Sequence, residues 1–481
     1  MSDLLSLDAT AQLQALESRR VGAVELLEAS VARFRAGHAK INAVTAVDIE
    51  KARTRAQMID DFRAKGEALG ALAGLPMTIK DSLDVEGMPA SSGIEALLRR
   101  SANDAVAVAK ARAAGAVIWG KTNLPVMTAD WQSYNALYGT SNNPWDLSRT
   151  PGGSSGGAAA ALAAGITALE IGSDIGGSLR VPASFCGVFS HKPTYGLVPQ
   201  RGQVPPMPGA HAEADLNVVG PMARSARDLR LLLSLIQDGP MAARAAPAEI
   251  RGLKVGVWLE EPAFPLDPQV GEAVAAFAQG LAGAGAVVEA LRPIDGAVLL
   301  DAYLNLLMPV MGRTLPPTQR RAFERLRGPA KLARALGAGP ASWASQVLRY
   351  TVTHDEWLDA NETRARIGDQ MKTLFERLDV LIAPIAPVAA FPHDHRPFNK
   401  RTLTMSNGRK IPYAAMLNWI ALATACGLPA TAIPIGADKA GLPIGVQIIG
   451  PKGGDARTLA VAQAFEEAFG GFVGPRVTGN G

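Results

Sequence analysis

Cysteine and histidine are scarce in this sequence, and their scarcity argues against two common kinds of site. Of 481 residues, 2 are cysteine and 6 are histidine. Cys186 and Cys426 lie in unrelated contexts, outside any CxxC pair or Cys/His cluster, so the sequence predicts neither a disulfide framework nor a zinc site. The segment HDH at 393–395 is more typical of a surface loop than of a pair of metal ligands.

Long hydrophobic runs are also missing. The longest uncharged stretch, residues 411–437, contains Gly427, Pro429 and Pro434, which would interrupt a membrane-spanning helix. A buried helix, a turn and a buried strand fit this stretch better. The N-terminus has no basic segment followed by an apolar one, as a signal peptide would. We therefore expect a soluble, cytoplasmic protein that binds no membrane.

Charge of one sign is not concentrated anywhere in the chain. The 48 lysines and arginines are offset by 44 aspartates and glutamates, which leaves a formal net charge of +4. Basic blocks such as LRR at 98–100 and QRR at 319–321 are short. Because nucleic-acid-binding surfaces concentrate basic residues on one face, we expect no nucleic-acid partner.

What the sequence does have is an alternation of apolar segments with helical patterns. Helical spacing over residues 10–36 predicts two amphipathic helices with a break at RRVG. Further along, the patterns predict strands at 166–174, 253–258, 379–384, 430–436 and 445–450, and helices at 268–283, 356–378 and 457–468. Strands alternating with helices favour an α/β fold around a buried parallel or mixed sheet.

We expect a single domain over residues 1–481, because no repeat or linker divides the chain. Its parts are assigned as a helical N-terminal segment, a core in three pieces, and a helical insertion that would line or cover a site. Their approximate bounds are 1–70 for the N-terminal segment, 71–235, 250–300 and 378–475 for the core, and 296–375 for the insertion.

Two glycine-containing segments match known motifs in the wrong context. Residues 115–122, GAVIWGKT, fit the P-loop pattern, but the residues between the glycines form a predicted strand themselves. We interpret this segment as a strand and a turn with Lys121 exposed; a nucleotide-binding protein is the alternative, which an ATP titration would test. Residues 152–156 fit G-x-S-x-G, but a loop precedes them and no histidine is obviously placed to serve as the base.

A third hypothesis takes three segments together: GLPMTIKDSLDVEG (74–87), PGGSSGG (151–157) and GSDIGGSLRVPASFCG (172–187). Each surrounds one reactive polar group, Lys80, Ser154 or Ser178, with glycine or apolar residues. A serine hydroxyl is a weak nucleophile and needs a base beside it. A lysine can be that base when burial lowers its pKa, and Ser–Lys pairs are a known variant of the serine triad.

The third segment also offers a site for the negative charge that develops in acyl transfer. The backbone N–H groups of Ile175, Gly176, Gly177 and Ser178 follow one another, and two glycines permit consecutive amides to converge on one point. We predict that these four amides form an oxyanion hole.

These segments resemble the amidase signature family, whose hydrolases use a Ser–Ser–Lys triad. Flanking segments are similar to the family as well, over most of the chain: INAVTAV (41–47), AAGAVIWGKTNLP (113–125), SNNPWD (141–146), KPTYGLVP (192–199), GPMARSARDL (220–229) and GLPIGVQIIGP (441–451). The resemblance implies the amidase signature fold, an α/β architecture in which a central mixed β-sheet carries α-helices on both sides.

The resemblance also implies a role for each polar residue. Lys80 would be the base, Ser178 the nucleophile, and Ser154 the hydroxyl between them, preceded by a cis peptide bond. Positions beside them, Ser155, Asp174 and Arg180, would support the loops. The implied reaction needs no metal and no organic cofactor.

The implied activity is that of an amidase, a hydrolase of carbon–nitrogen bonds in linear amides. We expect a small aliphatic or aryl amide as substrate; the alternatives are cleavage of a carbamate, ester or lactam, and the A subunit of a glutamyl-tRNA amidotransferase. Position in the sequence suggests five side chains for the substrate pocket, Met127, Trp131, Tyr134, Leu304 and Met308. The sequence does not specify the oligomeric state.

Overall fold

Most of the strands of this chain form one large sheet, which the helices cover. The computed structural model describes residues 2–239, 247–313, 315–339 and 342–475. Its helices are α1 (Ser2–Ser6), α2 (Ala9–Glu17), α3 (Ala23–Ile41), α4 (Ile49–Ala64), α5 (Val106–Ala113), α6 (Gly156–Ala163), α7 (Arg180–Cys186), α8 (Ala226–Ile236), α9 (Pro268–Gly283), α10 (Gly296–Gly312), α11 (Pro317–Ala335), α12 (Trp343–Tyr350), α13 (His354–Arg377), α14 (Ala421–Ala425) and α15 (Asp455–Phe469). Its strands are β1 (Val44–Val47), β2 (Pro76–Lys80), β3 (Pro89–Ala90), β4 (Arg99–Arg100), β5 (Val117–Thr122), β6 (Tyr134–Asn135), β7 (Gly139–Thr140), β8 (Leu169–Asp174), β9 (Phe189–Lys192), β10 (Val218–Ala223), β11 (Lys254–Val257), β12 (Val287–Ala290), β13 (Val380–Pro384), β14 (Thr402–Thr404), β15 (Lys410–Pro412), β16 (Ala430–Ala437) and β17 (Pro443–Ile449).

The main sheet has 11 strands in the order β1-β5-β2-β8-β10-β9-β16-β17-β13-β11-β12, and the pairs β3–β4, β6–β7 and β14–β15 form small two-stranded sheets. Neighbours β5, β2 and β8 run parallel, as do β13, β11 and β12, whereas β8, β10, β9, β16, β17 and β13 pair antiparallel in turn. The predicted mixed sheet is therefore confirmed.

Apolar side chains cover both faces of the sheet. Consecutive residues on β13 show this, because Leu381 and Ile382 point to opposite faces and belong to two different core clusters. The cluster around Ile382 includes side chains of α2, α3, α5, α8 and α15, and the cluster around Leu381 includes those of α7, α10, α13 and α14. The expected arrangement, with helices on both sides of a central sheet, is confirmed.

Most of the helices and strands predicted from periodicity are present. Helices α2 and α3 form the predicted pair around RRVG, and α9 occupies the predicted range 268–283. The uncharged stretch 411–437 forms short helical turns, α14 and the buried part of β16, in place of a spanning helix. Among the described residues, no helix combines the length and the apolar character needed to cross a bilayer.

Lys121 lies in a different environment from the one that the sequence predicts. The strand at this position, β5, is confirmed, but the exposed turn is wrong, because Lys121 is fully buried. Its ammonium donates to the carbonyl oxygens of Asp81 at 3.2 Å, Leu83 at 2.7 Å and Pro89 at 3.2 Å. A lysine held in this way is not available to a phosphate group, which removes the main support for a P-loop.

The small residues of α6 allow this helix to lie very close to its neighbours. All eight residues of GGAAAALA are buried. A Cβ atom on Gly157 would lie 2.4 Å from the backbone nitrogen of Asn123, at the end of β5, and 2.7 Å from the carbonyl oxygen of Ala43. This close approach places the loop before α6, which carries Ser154, beside the ends of the central strands.

Candidate active site

The three reactive residues predicted from the sequence are carried by neighbouring elements. Lys80 is the last residue of β2, Ser154 precedes α6, and Ser178 lies between β8 and α7. Strands β2 and β8 pair in parallel through Thr78–Glu170 and Ile79–Ile171, so their carboxyl ends meet at the same edge of the sheet. This edge is where ligands bind in many open α/β sheets.

The Lys80 amine is enclosed by hydroxyl groups. The side chain is fully buried, and its nitrogen donates to the Oγ atoms of Ser154 at 2.7 Å, Ser155 at 2.9 Å and Ser173 at 3.0 Å. The structure thus brings Lys80 and Ser154 into direct contact. Ser155, expected to support the loop, also touches the amine.

Burial changes the proton affinity of this amine. Loss of water around Lys80 lowers its pKa from the ordinary value to about 7, although the negative charges of Asp174 and Glu170 act in the opposite direction. A substantial fraction of Lys80 is therefore neutral near pH 7. A neutral amine has a lone pair that can accept the proton of a neighbouring hydroxyl.

The loops that carry the two serines are joined through the backbone. The amide of Ser155 donates to the carbonyl oxygen of Ser178 at 3.2 Å. The peptide bond between Gly153 and Ser154 is cis, as the resemblance implies. Ser178 is 5% exposed, so the proposed nucleophile lies almost entirely away from solvent.

The four amides predicted for the oxyanion hole differ in what they bind. The Gly177 amide donates to Asp174 Oδ1 at 2.9 Å, so the prediction for Gly177 is wrong. Within the part of the chain that the structure describes, the amides of Ile175, Gly176 and Ser178 have no hydrogen-bond acceptor. These three amides remain the proposed donors to an oxyanion.

Asp174 and Arg180 hold the loop between β8 and α7. Both side chains are fully buried, and Arg180 donates to the Asp174 carboxylate through Nε at 3.1 Å and Nη2 at 3.0 Å. Asp174 also accepts from the amides of Gly177 and Leu179. Burial alone would raise the pKa of Asp174, but the Arg180 guanidinium, together with the Lys192 charge and the Leu179 amide, outweighs this effect and keeps the pKa below its ordinary value. This geometry suits the supporting role expected for the pair.

Of the five side chains suggested for the pocket, Trp131 reaches the catalytic loop: its indole N–H donates to the carbonyl oxygen of Gly176 at 2.8 Å. Met127 is buried with a left-handed backbone (φ 51°), and Tyr134 stacks on a histidine at 3.9 Å between ring centroids. On α10, Leu304 is buried in the core and Met308 is half-buried.

A polar cluster lies beside Trp131. Arg401 donates to Asp130 at 2.5 Å and to the Tyr134 hydroxyl at 2.6 Å, and the Tyr413 hydroxyl donates to Asp130 at 2.6 Å. The positive charge of Arg401 and the negative charge of Asp130 therefore neutralise one another.

Two residues of the site were not found by sequence reasoning. Ser173 precedes Asp174 in the signature segment, and its contact with Lys80 could have been sought from the strand register. Tyr303 donates its hydroxyl to the carbonyl oxygen of Ile175 at 2.6 Å. Since 128 residues separate the two, no local pattern points to this contact.

The described residues contain no group of three or more His, Cys, Asp or Glu side chains arranged to hold a metal ion. In the HDH segment, His393 is half-buried and His395 is the histidine that stacks on Tyr134.

Comparisons with protein families, with relatives in sequence and with solved structures all identify the same family. The profile of the Amidase family matches residues 25–459. The A subunit of the glutamyl-tRNA(Gln) amidotransferase of Cyanothece sp. is 32% identical over 483 residues, which cover 95% of this chain and 96% of that protein. A crystal structure of an amidase superposes with a TM-score of 0.79 at 28% identity, over 96% of this chain and 100% of the other. The structure of 6-aminohexanoate cyclic dimer hydrolase superposes with a TM-score of 0.78 at 28% sequence identity, over 98% of this chain and 99% of that protein. This chain belongs to the amidase family, with the amidase signature fold, and is an enzyme of the class that acts on carbon–nitrogen bonds.

Proposed function

We propose that this protein hydrolyses a carboxamide through an acyl-enzyme on Ser178, with Lys80 as the base and Ser154 as the hydroxyl between them. The observation that carries the proposal is the fully buried Lys80 amine, with a pKa near 7, placed 2.7 Å from Ser154 Oγ. A buried amine of this kind has a recognised use as a general base.

The reaction proceeds in two halves. Neutral Lys80 takes the proton of Ser154, which takes the proton of Ser178, and Ser178 Oγ attacks the amide carbon. The amides of Ile175, Gly176 and Ser178 donate to the oxyanion. When the carbon–nitrogen bond breaks, the proton returns through Ser154 to the leaving nitrogen, and the amine or ammonia departs.

In the second half, water replaces the amine. Lys80 and Ser154 take a proton from water, whose oxygen attacks the acyl carbon, and the ester bond to Ser178 breaks as the proton returns to Ser178. The net change is an amide and water converted to a carboxylic acid and an amine or ammonia.

The Cyanothece relative supports one setting for this reaction more strongly than the others. At 32% identity over nearly the whole chain, it favours the A subunit of a glutamyl-tRNA amidotransferase over a small-substrate amidase. In that setting the chain would release ammonia from an amide donor and would act with partner subunits. The expectation that no nucleic acid takes part is not supported by this relative, whose name includes a tRNA.

The catalytic loop itself supports a second candidate, a stand-alone hydrolase of a neutral amide. The side chains found against residues 175–178 are mostly apolar or aromatic: Trp131, Tyr303, Leu417 and Ile420. The nearby charges of Arg401 and Asp130 neutralise one another. A zwitterionic acyl donor would need charged partners, whereas an aliphatic or aryl acyl group needs apolar ones.

An active-site label tests the chemistry without a known substrate. We expect an alkyl fluorophosphonate to modify the purified chain once, at Ser178, and mass spectrometry of the peptide locates the adduct. The Ser178→Ala variant is the control and should remain unlabelled. Labelling elsewhere, or none at all, would contradict the proposal.

An assay of ammonia or amine release then distinguishes the amidotransferase subunit from the stand-alone hydrolase. Ammonia or amine release is measured for the chain alone with glutamine and with a series of aliphatic and aryl amides, and a tagged chain is purified from its host to recover any partner proteins. Turnover of glutamine in a recovered complex supports the amidotransferase. Turnover of the neutral amides by the chain alone supports the hydrolase.

A further inference from the structure

Two side chains from distant segments hold the carbonyl groups of the loop that carries the oxyanion donors. The Tyr303 hydroxyl, from α10, donates to the carbonyl oxygen of Ile175 at 2.6 Å. The Trp131 indole N–H donates to the carbonyl oxygen of Gly176 at 2.8 Å. Tyr303 is fully buried and Trp131 is 7% exposed.

The orientation of these carbonyls fixes the orientation of the amides. In a planar trans peptide the C=O and the N–H point in opposite directions. The hydroxyl of Tyr303 therefore fixes the direction of the Gly176 N–H, which belongs to the same peptide group as the Ile175 carbonyl. In the next peptide group, Trp131 binds the carbonyl of Gly176 while Asp174 binds the amide of Gly177.

This segment needs such support because glycine residues restrict the rotation of the adjoining peptide groups only weakly. Gly176 and Gly177 are consecutive, and Gly177 has a φ of 89°. Without Cβ atoms, the peptide groups around them can turn over at little steric cost. A turned peptide would present a carbonyl oxygen in place of the Gly176 N–H.

Tyr303 stays a donor across the working pH range. Burial raises the pKa of its hydroxyl well above the ordinary value, and the carboxylate of Asp174 adds to this effect. The phenol therefore stays protonated through the pH range around 7 in which the Lys80 amine loses its proton.

We propose that Tyr303 and Trp131 are positioning residues: Tyr303 aims the Gly176 amide at the oxyanion by holding the carbonyl of Ile175, and Trp131 anchors the following peptide group by holding the carbonyl of Gly176. This inference rests on the proposed acyl-enzyme chemistry at Ser178. It gives α10, in the region assigned to an insertion, a direct part in forming the catalytic site.

The test is the kinetics with which a fluorophosphonate labels Tyr303→Phe. This variant keeps the ring and loses the hydroxyl. We expect the limiting labelling rate to fall about 10- to 100-fold, less than the loss of about 10²- to 10³-fold that follows removal of an oxyanion-hole donor. The concentration for half-maximal rate should change less than about twofold, and the pH profile should keep its inflection, because neither binding nor the Lys80 relay is altered.

Two further variants complete the experiment. Tyr350→Phe is the matched control, since Tyr350 stacks on Phe323 and lies against Gly312 at the end of α10, and it should label at the wild-type rate. Trp131→Phe removes the other carbonyl donor and should slow labelling in the same manner, which keeps the test open if Tyr303→Phe folds poorly by circular dichroism.

The outcomes separate this inference from the proposed function. If wild-type Ser178 is not labelled, the proposed function fails, and the inference falls with it. If the wild type is labelled and the folded Tyr303→Phe and Trp131→Phe variants label equally fast, the inference alone fails. A change confined to the half-maximal concentration would make these residues substrate contacts and would also overturn it.

Discussion

At the scale of single residues, the position of each hydroxyl around Lys80 determines what its removal should do. Ser154 and Ser155 both accept from the amine, at 2.7 Å and 2.9 Å, but the proposed relay uses Ser154 alone. We expect Ser154→Ala to lose about 10²- to 10⁴-fold in turnover, the range of general acid–base catalysis. Ser155→Ala should lose about tenfold or less, the value of one hydrogen bond.

This pair of variants is its own control, because both remove one hydroxyl from the same buried site. Turnover and the midpoint of thermal unfolding are measured on each. Equal losses of activity at unchanged stability would contradict the assignment of Ser154 as the relay.

The ion pair between Asp174 and Arg180 leads to a prediction about stability. Both groups are fully buried, so Asp174→Ala would leave the Arg180 charge without its partner away from water. We expect a loss of about 3–5 kcal/mol in the free energy of unfolding, measured by denaturant titration.

The exposed pair Glu362–Arg366 provides the comparison, with side chains 63% and 75% exposed. Glu362→Gln should change the free energy of unfolding by about 0.5 kcal/mol or less. A comparable cost for the two substitutions would mean that the buried pair is not structurally important.

Some residue-scale features follow from the sequence and others do not. Lys80, Ser154 and Ser178 could be proposed because each stands in a distinctive segment that resembles a family signature. Lys121 could not be placed, since its burial depends on three carbonyl groups that only the folded chain brings around it. The loss of Gly177 as an oxyanion donor likewise depends on the direction in which the Asp174 carboxylate points.

At the scale of elements, α6 shows how side-chain size sets the position of the site. Its glycines and alanines let the helix approach β1 and β5 so closely that a Cβ atom at position 157 meets backbone atoms of Asn123 and Ala43. Backbone cannot move aside as a flexible side chain can. The run of small residues is visible in the sequence, but the strands against which the helix packs come from pairing that no local pattern shows.

We expect Gly157→Ala to destabilise the protein by about 1–3 kcal/mol, the usual cost of overpacking, and to lower activity by displacing the loop that carries Ser154. Chemical denaturation measures the first effect and labelling of Ser178 the second.

Gly368, within α13, is the matched site, because nothing lies within 4 Å of a Cβ atom added there. Gly368→Ala should stabilise the protein by up to about 1 kcal/mol, since alanine favours helix over glycine. A Gly157→Ala variant as stable and as active as Gly368→Ala would show that the close packing of α6 is not required.

At the scale of the whole molecule, the strand order places the last strands of the chain between earlier ones. The last strands, β16 and β17, lie between β9 and β13, so residues 430–449 connect strands from the first half of the chain to those from the second. Periodicity predicted most of these strands, but it says which face of a strand is buried and not which strand lies beside it. The strand order therefore could not be predicted from the sequence.

We propose on this basis that residues 1–481 form a single domain, with the helical region 296–375 built onto its core. Unfolding in guanidinium should then show one transition, with the same midpoint by tryptophan fluorescence and by far-ultraviolet circular dichroism. Two transitions with separate midpoints would indicate two domains.

The central claim concerns the charge of Lys80, and the pH dependence of Ser178 labelling tests it most directly. The Lys80 pKa is lowered to about 7, so the neutral fraction of the base, and with it the rate, rises as the pH increases through 7 and levels off above it. We predict a profile with its inflection near pH 7 in the wild type, and a rate several orders of magnitude lower at pH 7 in a folded Lys80→Ala variant. Near-normal labelling of Lys80→Ala at pH 7, or a wild-type rate that keeps rising towards the ordinary pKa of lysine, would contradict the account.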